Sequence, residues 1–171
     1  VYEGRQEKED ALNLALAVGD LLQDAGEEVV YTRVDDVYDS PLEKARMANE
    51  ADGDWFISFH RNSSEQPNQY TGVETLVFDR SGEKVELAEK INENLADLGF
   101  RNIGVKERPN LTVLRRTKMP AVLIEAGFIN SDQDNELFDS QFEEIARAIA
   151  NAVLEITGRQ TEDSAYRVQV G

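Results

Sequence analysis

The sequence predicts an α/β domain, a mostly parallel twisted sheet with helices on both faces. Two short runs carry much of that reading: 55–60 (WFISFH) and 121–128 (AVLIEAGF) are almost continuously apolar, as strands covered on both sides are. Segments around them repeat apolar residues every three to four positions, the period of a helix with one buried face. The two kinds of segment alternate along the chain, the order of a sheet wound with crossover helices. With 171 residues, the chain has the length of one domain with a full core.

From Glu7 onward, Ala11, Leu14, Ala15, Val18, Leu21, Leu22 and Ala25 share a helical face, and Gly26 stands where that helix stops. Residues 28–33 (EVVYTR) read as a short strand. Ser40, Pro41 and Glu43 combine an N-cap, a first-turn proline and a capping box; the helix they open runs to about Ala51, before Gly53. After the strand 55–60, the polar, turn-rich stretch 61–71 reads as a loop and 72–79 as another strand. A helix from about Glu83 lines up Val85, Ala88, Ile91, Leu95 and Leu98. Residues 111–114 read as a short strand before the buried run 121–128. Ser140 and Glu143 form a second capping box. It opens a last helix with Phe142, Ile145, Ile149, Val153 and Ile156 inward, closed by Gly158. The patternless polar stretch 159–165 reads as a linker, and 166–171 as the opening of a further strand.

Net charge is −16, from 34 acidic and 18 basic residues. That field repels a phosphate backbone, so no nucleic-acid partner is expected, and anionic membrane surfaces are disfavoured too. No apolar run approaches the ~20 residues of a membrane span. No secretion leader is recognisable, and a start at Val1 without methionine reads as processed or trimmed. Cysteine is absent, which excludes disulfides and thiolate zinc sites and accords with an oxidising compartment.

Four features carry candidate chemistry. His60, the only histidine, ends a buried strand at the edge where open α/β sheets bind ligands; it is a strand cap or a ligand-binding group. Glu125 interrupts an apolar strand, and burying an unpaired carboxylate costs several kcal/mol. Either a distant arginine pairs with it or its pKa is tuned for general-base work. Glu7 precedes the first helix, where a carboxylate also stabilises the helix N-terminus. Arg115 and Arg116 lie just upstream of the Glu125 strand, either as a bidentate carboxylate site or as solvated loop charges.

Together these pieces resemble the zinc-dependent N-acetylmuramoyl-L-alanine amidases of bacterial cell-wall hydrolases, sporulation amidases and phage endolysins. The matching segments, in family order and spacing, are Glu7-Lys8, Val29-Val30-Tyr31-Thr32-Arg33, Phe56-Ile57-Ser58-Phe59-His60-Arg61-Asn62-Ser63, Gly72-Val73-Glu74, Val113-Leu114-Arg115-Arg116-Thr117 and Met119-Pro120-Ala121-Val122-Leu123-Ile124-Glu125-Ala126-Gly127-Phe128-Ile129. The resemblance implies the phosphorylase/hydrolase-like amidase fold over 1–158 and a Zn2+ cofactor bound by Glu7 and His60. It further implies Glu125 as the catalytic glutamate, with Asn62 and Arg115 as substrate contacts. It implies hydrolysis of the bond between N-acetylmuramic acid and L-alanine in peptidoglycan, by a monomer acting outside the cytoplasm. Residues 166–171 resemble the opening of a SPOR wall-binding domain. In the family the first zinc ligand is a histidine in an Asp-x-Gly-His-Gly-like motif on an opening strand. The sequence starts downstream of that motif, so two of the three protein ligands are expected here and the sheet is expected to be one strand short. The alternatives are a metal-free, non-catalytic wall-binding module and a zinc carboxypeptidase acting on stem peptides.

Overall fold

The computed structural model describes residues 1–31, 41–51, 53–158 and 167–170. Helix α1 (Glu7–Asp24) buries Leu14, Ala15, Val18 and Leu22, one stripe at helical spacing. Its first turn holds Glu7, Glu9 and Asp10, the charge sign that a helix N-terminus favours. It ends in a left-handed Gly26 (φ 96°), with Gly26 N–H donating to Gln23 O and Glu27 N–H to Leu22 O. Gly19 is small because the Tyr31 ring occupies the space a Cβ would take.

Among the described residues, six strands form one sheet: β1 (Glu28–Tyr31), β2 (Trp55–Asn62), β3 (Val73–Val77), β4 (Asn102–Glu107), β5 (Ala121–Phe128) and β6 (Arg167–Val170). Their order is β1-β6-β2-β5-β3-β4. Neighbours are parallel except β3 and β5, which run antiparallel. The helices are α2 (Pro41–Ala51), α3 (Glu83–Ala96), α4 (Thr112–Arg115), α5 (Asp132–Ser140) and α6 (Phe142–Thr157).

Strand alternation sorts the core into two layers. Trp55, Ile57 and Phe59 of β2 and Val122 and Ile124 of β5 face α1, α3 and α6, in a cluster that includes Leu14, Ile91 and Ile149. On the opposite face, Phe56, Leu76, Ala121 and Leu123 pack on Ala48 of α2 and Val113 and Leu114 of α4. The α/β architecture with helices on both faces is thus as the sequence predicts.

Several elements differ from the sequence reading. Residues 112–115 form a helical turn rather than a strand, with Arg115 N–H donating to Leu111 O and Arg116 N–H to Thr112 O. Either backbone would bury Val113 and Leu114; contact with Phe56 and Leu123 selects the turn. The capping box at Ser140 does not form, because Ser140 is the last residue of α5 and α6 starts after Gln141, whose side chain donates to Leu98 O. Helix α5 and edge strand β4 went unread; α5 is almost wholly polar, and β4 buries only Val105. Strand β2 runs through Asn62, past the expected loop start. Ser40, Thr32, Arg33 and the 159–165 stretch lie outside the described residues, whereas 167–170 hydrogen-bond between β1 and β2.

Candidate active site

The face of the sheet that carries α2 and α4 is apolar along half its length and polar along the other half. In β2, Phe56 gives way to Ser58 and His60; in β5, Ala121 and Leu123 give way to Glu125. His60 is the register partner of Glu125 on one side, and Glu74 of antiparallel β3 is its partner on the other. Register partners across an antiparallel pair have Cβ atoms roughly 4.5–5.5 Å apart, so Glu74 and Glu125 share one patch of surface.

Glu7 reaches this patch from the start of α1. Its Oε1 lies 3.7 Å from His60 Nδ1, and its Oε2 accepts the Arg61 backbone N–H at 3.3 Å. The other ring nitrogen of His60, Nε2, lies 3.1 Å from Ser58 Oγ. Glu125 Oε2 is shielded from solvent and has no hydrogen-bond partner among the described residues. Burial pushes the Glu125 carboxyl up to about 7; His60 opposes the rise, and Glu7 and Glu74 add to it. Of the two sequence readings, then, no arginine among the described residues neutralises Glu125, and a carboxyl that titrates near neutrality is suited to moving protons. Beside His60, a cavity of about 220 Å³ is lined by Ser58, Leu111, Thr112, Val113 and Leu123.

The structure therefore gathers Glu7, His60 and Glu125 at one end of the sheet. Asn62 is two residues further along β2, its Oδ1 accepting the Ser63 N–H and its backbone oxygen the Ile129 N–H. Among the described residues, Arg115 makes no hydrogen bond or ion pair with Glu7, His60 or Glu125, and it lies one helical turn from their cavity. It ends α4, whose Thr112 and Val113 line the cavity beside His60, and it borders a second concavity with Met119, Pro120 and Ala121.

The donor set fits one edge of a zinc site. Tetrahedral ligands at ~2.0–2.1 Å from the ion stand roughly 3.3 Å apart, close to the separation of Glu7 Oε1 and His60 Nδ1. A catalytic zinc normally takes a third protein ligand, and no group of three such side chains is present among the described residues.

Sequence reasoning missed the residues that hold these groups in place. Arg61, which looks like the first loop residue after a strand, is buried. Asp134 is also buried, and its Oδ2 accepts the backbone N–H groups of Gly72 and Phe128, fastening the start of β3 to the end of β5. The only sequence trace of Asp134 is the N-cap Ser131, whose hydroxyl accepts the Asp134 N–H.

A carboxyl raised toward neutrality, beside a histidine and a second carboxylate on the edge of a mostly parallel sheet, defines a hydrolase-type site in an α/β domain. Comparison with known proteins names the class. The family described as N-acetylmuramoyl-L-alanine amidase matches residues 1–155, and the chain belongs to that family. A sporulation-specific N-acetylmuramoyl-L-alanine amidase of Bacillus subtilis is 32% identical, over 98% of this chain and 67% of the relative. An endolysin of Bacillus phage SPP1 is 32% identical, over 90% of this chain and 59% of its own length. Among solved structures, the catalytic domain of CwlV, an N-acetylmuramoyl-L-alanine amidase of Bacillus (Paenibacillus) polymyxa, superposes with a TM-score of 0.81 at 30% identity, over 91% of this chain and 87% of that one.

Proposed function

We propose that this domain hydrolyses the amide bond between N-acetylmuramic acid and L-alanine in peptidoglycan, outside the cytoplasm. The observation that supports it most is Glu125 Oε2, shielded and without a hydrogen-bond partner among the described residues, on the strand position beside His60. Glu7 and His60 would hold a zinc ion, which when bound would supply Lewis acidity at the amide carbonyl and the attacking water. Glu125, ionised, takes a proton from the attacking water on Oε2. It then passes that proton to the amide nitrogen as the carbon–nitrogen bond breaks. The products are the lactyl carboxylate on the glycan and a stem peptide with a free L-alanine amine. Asn62, at the end of β2, and Arg115, at the end of α4, contact the substrate.

Digestion of purified peptidoglycan, read by mass spectrometry, tests this. Whole stem peptides beginning with free L-alanine are expected. Release of single amino acids instead identifies a carboxypeptidase, and no release at all sinks the hydrolase reading.

A further inference from the structure

One buried guanidinium, on the residue after His60, holds close chain neighbours of the other two gathered side chains, Glu7 and Glu125. Arg61, its side chain 1% exposed, follows His60 on β2 and points to the opposite face of the sheet. Its Nε donates to the carbonyl of Ala126, the residue after Glu125, at 2.8 Å. Its Nη1 donates to Oδ2 of Asp10, one helical turn after Glu7, at 3.1 Å and to Asn135 Oδ1 of α5 at 2.7 Å. Nη2 lies 3.4 Å from Phe128 O, and the guanidinium stacks 4.3 Å above the Phe138 ring. The Arg61 backbone N–H also donates to Glu7 itself.

We infer that Arg61 is a positioning residue: it fixes α1, β2 and β5 against one another so that Glu7, His60 and Glu125 stand together. A guanidinium suits this place because its planar fork directs donors to a carboxylate and to carbonyls at once, which an ammonium cannot do. Burial makes the arrangement stiff, since removing one partner leaves a charge unpaired in the interior. Packing around the guanidinium is close: a Cβ on Gly127 would stand 3.2 Å from Arg61 Nη2, so that the neighbour would have to give by a few tenths of an ångström. The inference deepens the hydrolase reading and rests on it for its kinetic consequence.

The test compares the unaltered protein with Arg61→Lys, which keeps a cation but not the fork. Below the melting temperature of both, positioning predicts a fall in kcat on the order of 10²-fold with KM little changed, since a displacement of about 1 Å costs that much. A kcat within about twofold of the unaltered protein overturns it. A second arm is independent of turnover and uses the ring nitrogen resonances of His60, the sole imidazole. Glu7→Gln is expected to shift them in the unaltered background and to shift them much less beside Arg61→Lys; equal shifts in both overturn the inference. If Arg61→Lys does not fold, Asp10→Asn, which keeps the side chain's shape, takes its place in both arms with the same outcomes. An unaltered protein that shows the Glu7 shift yet releases no stem peptide defeats the hydrolase reading and leaves the positioning role standing.

Discussion

His60 and Glu125 stand directly opposite each other on adjacent parallel strands, β2 and β5, with their side chains on the same face of the sheet. That relation converts two sequence anomalies, a lone histidine and a carboxylate in an apolar strand, into one site. Glu125→Gln keeps the shape of the side chain and removes its proton-transfer capacity. Turnover of muramyl peptide is expected to fall by about 10²–10⁴-fold, with the circular dichroism spectrum unchanged. A variant that keeps a tenth of the original rate would place the general base elsewhere.

The raised Glu125 pKa predicts opposite pH trends for activity and stability. A carboxyl titrating at about 7 is half ionised there, so kcat/KM is expected to rise with pH through neutrality as the base form fills. Stability runs the other way. The folded state holds this proton more tightly than the unfolded chain, so the full contribution is present below the ordinary carboxylate range and is lost as pH rises through about 7. The shift corresponds to about 3 kcal/mol, read as the part of the change in chelated, metal-free unfolding free energy between pH 4 and pH 9 that differs between the unaltered protein and Glu125→Gln. Glu125→Gln should remove that part alone; an identical pH dependence in the variant assigns the titration to other groups.

The sequence made the architecture legible because the strongest elements obey one periodicity each. Helix α1 carries its stripe, and β2 and β5 carry their apolar runs, so type and order follow directly. Elements whose apolar content is small, β4 and α5, were invisible, because their place is set by the sheet edge and by polar contacts such as Asn135 on Arg61. The site was half legible. His60 and Glu125 break local rules, and broken rules mark function. Glu7 breaks none at the start of a helix, and only the resemblance singled it out. Arg61 and Asp134 were hidden for the converse reason: a charge next to a strand end looks solvated until tertiary partners are known.

Gly127 sits between these hidden groups, at φ 79°, with a would-be Cβ 3.1 Å from Asp134 Cβ and 3.2 Å from a Phe100 ring carbon. Gly127→Ala combines a left-handed backbone, unfavourable by about 1–2 kcal/mol for other residues, with crowding against rigid neighbours. A loss of about 2 kcal/mol or more is expected in denaturant midpoints. A change under about 0.5 kcal/mol would mean that β5 moves freely here, and Asp134 would then not hold it.

Metal binding separates the two readings of the Glu7–His60 pair. A donor pair 3.7 Å apart is an ion pair waiting for a protonated imidazole or an edge of a zinc polyhedron. A ligand that binds only the native state raises the unfolding free energy by RT ln(1 + [L]/Kd), about 2.7 kcal/mol at a hundredfold excess over Kd. Zinc added to the metal-free protein is therefore expected to raise its melting temperature in a concentration-dependent way. His60→Ala removes one donor of the pair and should abolish the rise, while Glu7→Gln, which keeps a weaker oxygen donor, should reduce it. Calorimetric titration with zinc alone checks both variants. If His60→Ala binds zinc as the unaltered protein does, the ion sits among the surface carboxylates of a chain with net charge −16, and the Glu7–His60 contact is a salt bridge.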